Sequence, residues 1–259
     1  MYQHLLYEVA EGVARISLNR PQVFHALSPD LILEVTNAVQ AAAADSGVRV
    51  VLLTATGDKA FCSGADLKVG IGDAAGFGEA LRTRYNPMIM ALRTIPKPVV
   101  CRLNGLAAGA GCSLALACDL VIASEEAYLS LLFVGIGLMP DAGATYMLPR
   151  LVGVARAFEL ASTGRRVYAT EAAQMGLIAR AVPAAQLDEA VQEVLAYYRS
   201  APTQAIGAMK QAFNSSLQSD LTAMLDLEAQ LQDQLSQTQD AREGIQSFLQ
   251  KRTPDYQGR

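Results

Sequence analysis

Ala14, Ile16 and Leu18 alternate with Arg15 and Ser17, a period of two that predicts a half-buried strand. Pro21 ends it, because its ring fixes φ and removes a donor. Ser28 offers an N-cap with Pro29 at the first helical position, and residues 31–44 read as the helix that follows. Short apolar runs at 48–53, 98–103 and 120–123 predict buried strands. Strands alternating with helices argue for an α/β fold with a mostly parallel sheet. Residues 69–78 hold four glycines and read as a loop, and 85–93 as a helix that Pro96 and Pro98 end. Beyond about residue 200 the strand signals vanish. Leu221, Met224, Leu227, Leu231 and Leu235 recur every three or four residues, so this tail is a helix with an apolar stripe. That stripe must pack on the chain's own core or on a neighbouring subunit. The chain thus divides into a core over 1–200 and a helical region over 201–259. No internal repeat is visible.

Composition narrows the function classes. Hydrophobic residues make up 51% of the 259, enough for a large buried core. With 21 basic and 25 acidic residues the net charge is -4 and no Lys/Arg block stands out, which argues against a nucleic-acid partner. Cys62, Cys101, Cys112 and Cys118 form no C-x-x-C pair, and His4 and His25 are the two histidines. A structural zinc site needs a denser ligand set, so no metal is expected. The cysteine spacing does not suggest disulfides, and a reducing, cytoplasmic location is the simpler expectation. The first residues lack a signal-peptide pattern, and no uncharged run of eighteen apolar residues predicts a membrane span.

Two segments share one design of strand, glycine-rich turn and helix start: Ala60-Phe61-Cys62-Ser63-Gly64-Ala65-Asp66-Leu67, and residues 104–113, centred on Ala107-Ala108-Gly109-Ala110-Gly111. Small residues let a ligand approach the backbone, and a helix start presents unpaired N–H groups. Two such groups aimed at one point would make an oxyanion hole. Close packing of helix on strand explains either segment taken alone.

Taken together and in order, the motifs are more specific. Asn19-Arg20-Pro21, the first glycine-rich segment, Pro96-Lys97-Pro98, residues 104–119 and Gly135-Ile136-Gly137-Leu138-Met139-Pro140-Asp141-Ala142-Gly143 resemble the signatures of the enoyl-CoA hydratase/isomerase (crotonase) family. The resemblance runs from the first strand to the helical tail, with Cys101 a minor departure. It implies a crotonase-like spiral of ββα units with a helical C-terminal trimerisation region, assembled as a homotrimer or hexamer. It implies a coenzyme A thioester as substrate and no cofactor beyond that coenzyme A. Carried onto this chain, the oxyanion donors are the backbone N–H groups of Ala65 and Ala110. Gly64, Asp66, Leu67 and Lys68 then line the thioester and pantetheine path. The two glutamates of the family's hydratases correspond to Ser113 and Phe133, neither of which is a carboxylate base. Asp141 remains as the candidate acid/base, in the place where some family isomerases shuttle a proton between carbons. Within the family the resemblance is fullest to the isomerases of phenylacetate breakdown, which open a ring-epoxide of phenylacetyl-CoA. It rests there on Tyr85-Asn86-Pro87, Pro140-Asp141, Arg242-Glu243-Gly244, Phe248-Leu249 and Lys251-Arg252.

Several residues carry two readings. Asp141 follows a proline and precedes a helix, so it reads as an N-cap as well as an acid/base, and one carboxylate can do both. Asp66 reads as a structural carboxylate at a helix start, and Asp119 as the residue that ends a helix and orders the next strand. Cys112 and Ser113 have no nearby histidine to activate them and read as packing residues. Phe133 fills the space of a hydratase glutamate, and a drier pocket would raise the pKa of Asp141. The 69–78 loop reads equally as a lid over the acyl group or as plain surface. The favoured expectation is an acyl-CoA isomerase acting through an enolate. Its rivals are a hydratase that activates water with Asp141 and a non-catalytic acyl-CoA- or RNA-binding relative. A nicotinamide-binding enzyme is disfavoured, because neither Gly70-x-Gly72 nor Gly109-x-Gly111 completes G-x-G-x-x-G.

Overall fold

The computed structural model describes residues 2–259. The alternating strand at the N-terminus, β2 (Val13–Leu18), pairs antiparallel with β1 (Leu5–Ala10). Of β1 only Leu5 is fully buried, so its pattern carries little of the period-two signal. Helix α1 (Pro29–Ala44) starts as its sequence dictates: the Ser28 hydroxyl accepts the Leu31 amide at 3.3 Å, a cap worth about 1 kcal/mol.

Three strand–strand–helix turns follow. The first runs through β3 (Val50–Ala55), β4 (Ala60–Cys62), α2 (Phe77–Ala80), a π-helical turn at Leu81–Tyr85, and α3 (Asn86–Thr94). The second is β5 (Val99–Leu103), β6 (Leu106–Ala108) and α4 (Ala110–Leu116). The third is β7 (Leu120–Ser124), β8 (Tyr128–Ser130), α5 (Ala144–Val152) and α6 (Val154–Thr163). The first strand of each turn joins one sheet, in the order β1-β2-β3-β5-β7. The second strand joins another, in the order β4-β6-β8. β9 (Val167–Tyr168) closes the smaller sheet antiparallel to β8. After α7 (Ala169–Gln174), β10 (Arg180–Val182) extends the larger sheet parallel to β7. The pairings β2–β3, β3–β5 and β5–β7 are all parallel. Every residue of β3 is buried, as a parallel strand covered on both faces requires. The Asn104 amide ties the passage between sheets by donating to the carbonyls of Gly57 (2.6 Å) and Ala60 (3.2 Å).

The remainder is helical: α8 (Leu187–Ser200), α9 (Thr203–Ser216), α10 (Leu221–Ser236) and α11 (Gln239–Gln250). Lys210 on α9 docks this region. Its buried Nζ donates to Asp119 Oδ2 and to the Leu92 carbonyl, both at 2.7 Å, while Asp119 Oδ2 also accepts the Val99 amide at 2.8 Å. The stripe expected on the tail lies on α10, but it is covered unevenly. Leu231 is buried, whereas Leu221 is 74% exposed, and on α11 Phe248 is 82% exposed.

Three local expectations need correction. The helix expected at 85–93 begins earlier, at Phe77, and widens into the π turn before Asn86. The loop expected at 69–78 therefore ends at Gly76. Residues 60–67 are not followed by a helix: the chain makes turns only, with the Gly70 amide bonding the Asp66 carbonyl.

Candidate active site

The two glycine-rich segments meet where β4 and β6 leave the smaller sheet side by side. A Cβ placed on Gly64, whose φ is +96°, would sit 2.8 Å from the Ala108 carbonyl oxygen and 3.4 Å from the Ala110 nitrogen. A Cβ on Gly111 would sit 2.3 Å from the Cys62 carbonyl oxygen. Only glycine permits this approach at either position. The Gly64 carbonyl accepts from Leu27 and the Asp66 amide donates to the Leu27 carbonyl, so Ala65 is held rigidly between two bonds. Ala110 opens α4, where no intrahelical carbonyl is available to its amide. Among the described residues neither the Ala65 nor the Ala110 N–H has an acceptor.

Arg20 and Asp66 brace this arrangement from 46 positions apart. The guanidinium donates to Asp66 Oδ2 at 2.9 Å and to the Ala26 carbonyl, with both side chains largely buried. Asp66 Oδ1 accepts the Lys68 and Val69 amides at 3.3 Å. Burial alone would raise this carboxyl, but Arg20 and the two amides outweigh it and hold it below the usual carboxylate range. His25 joins the same brace, its Nδ1 accepting the Arg20 amide at 3.0 Å and its Nε2 facing the Thr56 carbonyl at 3.0 Å. That pattern assigns the ring proton to Nε2, and burial lowers the pKa, so the ring is neutral.

Ala65 and Ala110 line one cavity of about 270 Å³ together with Asp66, Leu67, Phe133 and Asp141. Gly64 lies buried behind its wall, and Lys68 is exposed outside it. Asp141 is no helix cap. The N-cap of α5 is Gly143 and receives no side-chain bond, and Asp141 Oδ1 is buried with no partner among the described residues. The Asp141 backbone is pinned instead, its carbonyl accepting the Ser113 hydroxyl at 2.9 Å and the Ala144 amide at 3.0 Å. Ala142 and Gly143 then both take positive φ, at 49° and 82°. Strain of this kind at a non-glycine residue persists only where the surroundings hold it. Burial pushes the Asp141 carboxyl up to about 6. Phe133, 6% exposed, reaches within 4.0 Å of a Cβ built on Gly109 and helps to keep the cavity dry. Burial pushes the Cys62 and Cys112 thiols up to about 12, which fits packing rather than nucleophilic roles.

A larger groove of about 540 Å³ lies between α3, α5, α8 and α9. It contains none of these residues, and its buried cation, Lys210, is already bonded to Asp119. The chemistry-bearing groups converge on the smaller cavity. No three His, Cys, Asp or Glu side chains among the described residues form a group that could hold a metal ion. No helix among them is long and apolar enough to cross a membrane.

The sequence profile of the enoyl-CoA hydratase/isomerase family matches residues 8–259. The chain belongs to that family. Its fold is the crotonase spiral that the motifs implied: the structure of an enoyl-CoA hydratase from Bacillus anthracis superposes with a TM-score of 0.93 at 38% identity, covering 99% of this chain and 100% of that one. A protein of Rhodobacter capsulatus named "Probable enoyl-CoA hydratase" is 44% identical over 100% of this chain and 99% of its own length. The 1,2-epoxyphenylacetyl-CoA isomerase of Escherichia coli is 36% identical over the whole of both chains. The fold brings Ala65, Ala110, Phe133 and Asp141, which the sequence motifs singled out, onto one cavity wall. Sequence reasoning missed the Arg20–Asp66 brace, for which no local signal exists, and it noticed Tyr85 only as part of a motif.

Proposed function

We propose that this protein is an acyl-CoA isomerase that works through a thioester enolate, with Ala65 and Ala110 as oxyanion donors and Asp141 as the one acid/base. The observation that carries the reading is Asp141 Oδ1, a buried carboxylate oxygen that has no partner among the described residues and lies on the wall shared by two unspent amides. The thioester carbonyl oxygen accepts from the Ala65 and Ala110 N–H groups. Asp141 removes an α-proton, and the electron pair moves onto that oxygen and into the adjacent unsaturated system. Asp141 then returns the proton at another carbon, so the product is isobaric with the substrate. Each amide aimed at the oxyanion contributes about 3 kcal/mol in the transition state. A carboxyl with a pKa of about 6 exchanges protons readily near neutral pH. The positions matched to the hydratase glutamates hold Ser113, bonded to the Asp141 carbonyl, and Phe133, so a second carboxylate to activate water is lacking there.

A hydratase is the second reading, favoured by the name of the Rhodobacter capsulatus relative. Retention of two unspent amides beside a carboxylate of raised pKa speaks for turnover over simple acyl-CoA binding. We further propose that the exposed apolar faces of α10 and α11 assemble the chain as a trimer or hexamer in the cytoplasm. No cofactor beyond the coenzyme A of the substrate is proposed. The test is mass spectrometry of 2-enoyl-, 3-enoyl- and ring-epoxide phenylacetyl-CoA after incubation with the protein and with Asp141→Asn. An isobaric product with changed chromatography, lost in the variant, is expected. A product heavier by one water from the 2-enoyl thioester would make the protein a hydratase.

A further inference from the structure

Four side chains on the cavity wall carry polar atoms: Asp66, Arg84, Tyr85 and Asp141. Asp66 is committed to Arg20 and two amides. Arg84 is committed to the Ile71 carbonyl and to Asp73 across the glycine-rich loop. Asp141 is the acid/base of the reaction proposed above. Tyr85 is the remaining one: it is half-buried, lines the cavity, and among the described residues its hydroxyl makes no hydrogen bond to protein. The residue ends the π-helical turn Leu81–Tyr85, a wide turn of the kind that recurs at functional sites because it re-aims the side chains after it. The Asp141 carboxylate disfavours ionisation of the phenol after burial has already done so, which ties the two groups to the same interior. The phenol is therefore neutral at physiological pH and available as a donor.

The rest of the wall is hydrocarbon, contributed by Ile32, Phe77, Leu81, Phe133, Ile136 and Leu138. An acyl group lying there meets two unspent polar groups, a carboxyl that handles the proton and a phenol with nothing to bond. An apolar acyl group filling the cavity would strip this hydroxyl of water and leave it without a partner, whereas an acyl oxygen in reach restores the bond. The cation on this wall, Arg84, is neutralised by Asp73, so a second carboxylate on the acyl group would find no partner. We propose that Tyr85 is a specificity-determining residue whose hydroxyl donates to an oxygen carried by the acyl group, so that the site selects neutral, oxygen-bearing acyl-CoA thioesters over their oxygen-free counterparts. This rests on the reading that the cavity holds the acyl group of the substrate.

The experiment is isothermal titration with a matched, unreactive pair, (tetrahydropyran-2-yl)acetyl-CoA and cyclohexylacetyl-CoA. The two have one shape and differ by an ether oxygen that can only accept. The wild type, Tyr85→Phe and Asp141→Asn are compared. The wild type is expected to bind the ether about tenfold more tightly, the worth of one good hydrogen bond. Tyr85→Phe is expected to bind the two equally, and Asp141→Asn to keep the preference. Retained binding of the cyclohexyl thioester by Tyr85→Phe shows that the variant is folded. A wild type without preference overturns the proposal, as does a preference that survives in Tyr85→Phe or disappears in Asp141→Asn. In each of those cases the isomerase reading stands or falls separately by its own assay. Failure of the wild type to bind either thioester would also overturn this proposal, while the isomerase reading is decided by the mass-spectrometric assay.

Discussion

Replacing Asp141 with asparagine should stabilise the protein at alkaline pH while abolishing its activity. The folded-state pKa of about 6 lies about two units above the ordinary value of 3.8, and one unit corresponds to about 1.36 kcal/mol. Full conversion gives roughly 3 kcal/mol, and solvent screening of a carboxyl that is only partly buried reduces it to about 1–2 kcal/mol. Between pH of about 4 and 6 the native state binds the proton more tightly than the unfolded chain, so the stability is present below that window and lost as pH rises through about 6. Asparagine has nearly the same shape and never ionises, so the variant escapes the loss. Thermal unfolding of both proteins at several pH values between 4 and 8 isolates the effect, because all other titrations are common to the two. The melting temperature of Asp141→Asn relative to wild type should rise by about 2–8 °C across that range, at roughly 2–4 °C per kcal/mol for a chain of this size. A gap that stays constant with pH, or shrinks as pH rises, would refute the argument that Asp141 is ionised at a cost. The wild-type kcat should rise with pH on an acid limb centred near 6, because the reaction begins with the carboxylate form.

Gly64→Ala should lower kcat by about 100-fold or more with native circular dichroism, since the new Cβ meets the Ala108 carbonyl and shifts the neighbouring proposed oxyanion donors; activity within tenfold of wild type would count against Ala65 as such a donor. Phe133→Ala removes a buried ring at a cost of about 3–5 kcal/mol and lets water reach Asp141, so the acid limb of the pH–rate profile should move below 6. Lys210→Met leaves Asp119 without its closest cation; Asp119 retains Arg93 and some solvent, so the loss by urea denaturation should be about 2–4 kcal/mol, with the pH–rate profile unmoved.

Elements dominated by one local signal were legible from the chain. Strand β2 shows the alternation of a sheet with one wet face, and α1 carries its own cap and proline. Strands β3, β5 and β7 are apolar throughout or nearly so, as covered parallel strands must be. Strand β1 was missed because its partner, not its pattern, decides it: six registered pairs with β2 hold a segment most of whose residues face solvent. The π turn was missed because nothing in Leu81-Arg82-Thr83-Arg84-Tyr85 distinguishes hydrogen bonds that span five residues from those that span four.

By itself the sequence determined the alternation of strand and helix and the helical tail. It also determined the two glycine-rich turns and the absence of a glutamate at positions 113 and 133, because each of these is a matter of local period, backbone permission or residue type. Tertiary structure alone decided that Gly64 lies so close to the start of α4 that a Cβ would not fit, that Arg20 reaches Asp66 across 46 residues, and that Asp141 faces a cavity with an oxygen unbonded among the described residues when it could have capped α5. The physical reason is range. Propensity and capping act within a turn or two of the chain, whereas the desolvation that raises the Asp141 pKa, and the placing of Ala65 and Ala110 on one cavity wall, depend on which segments the fold brings together.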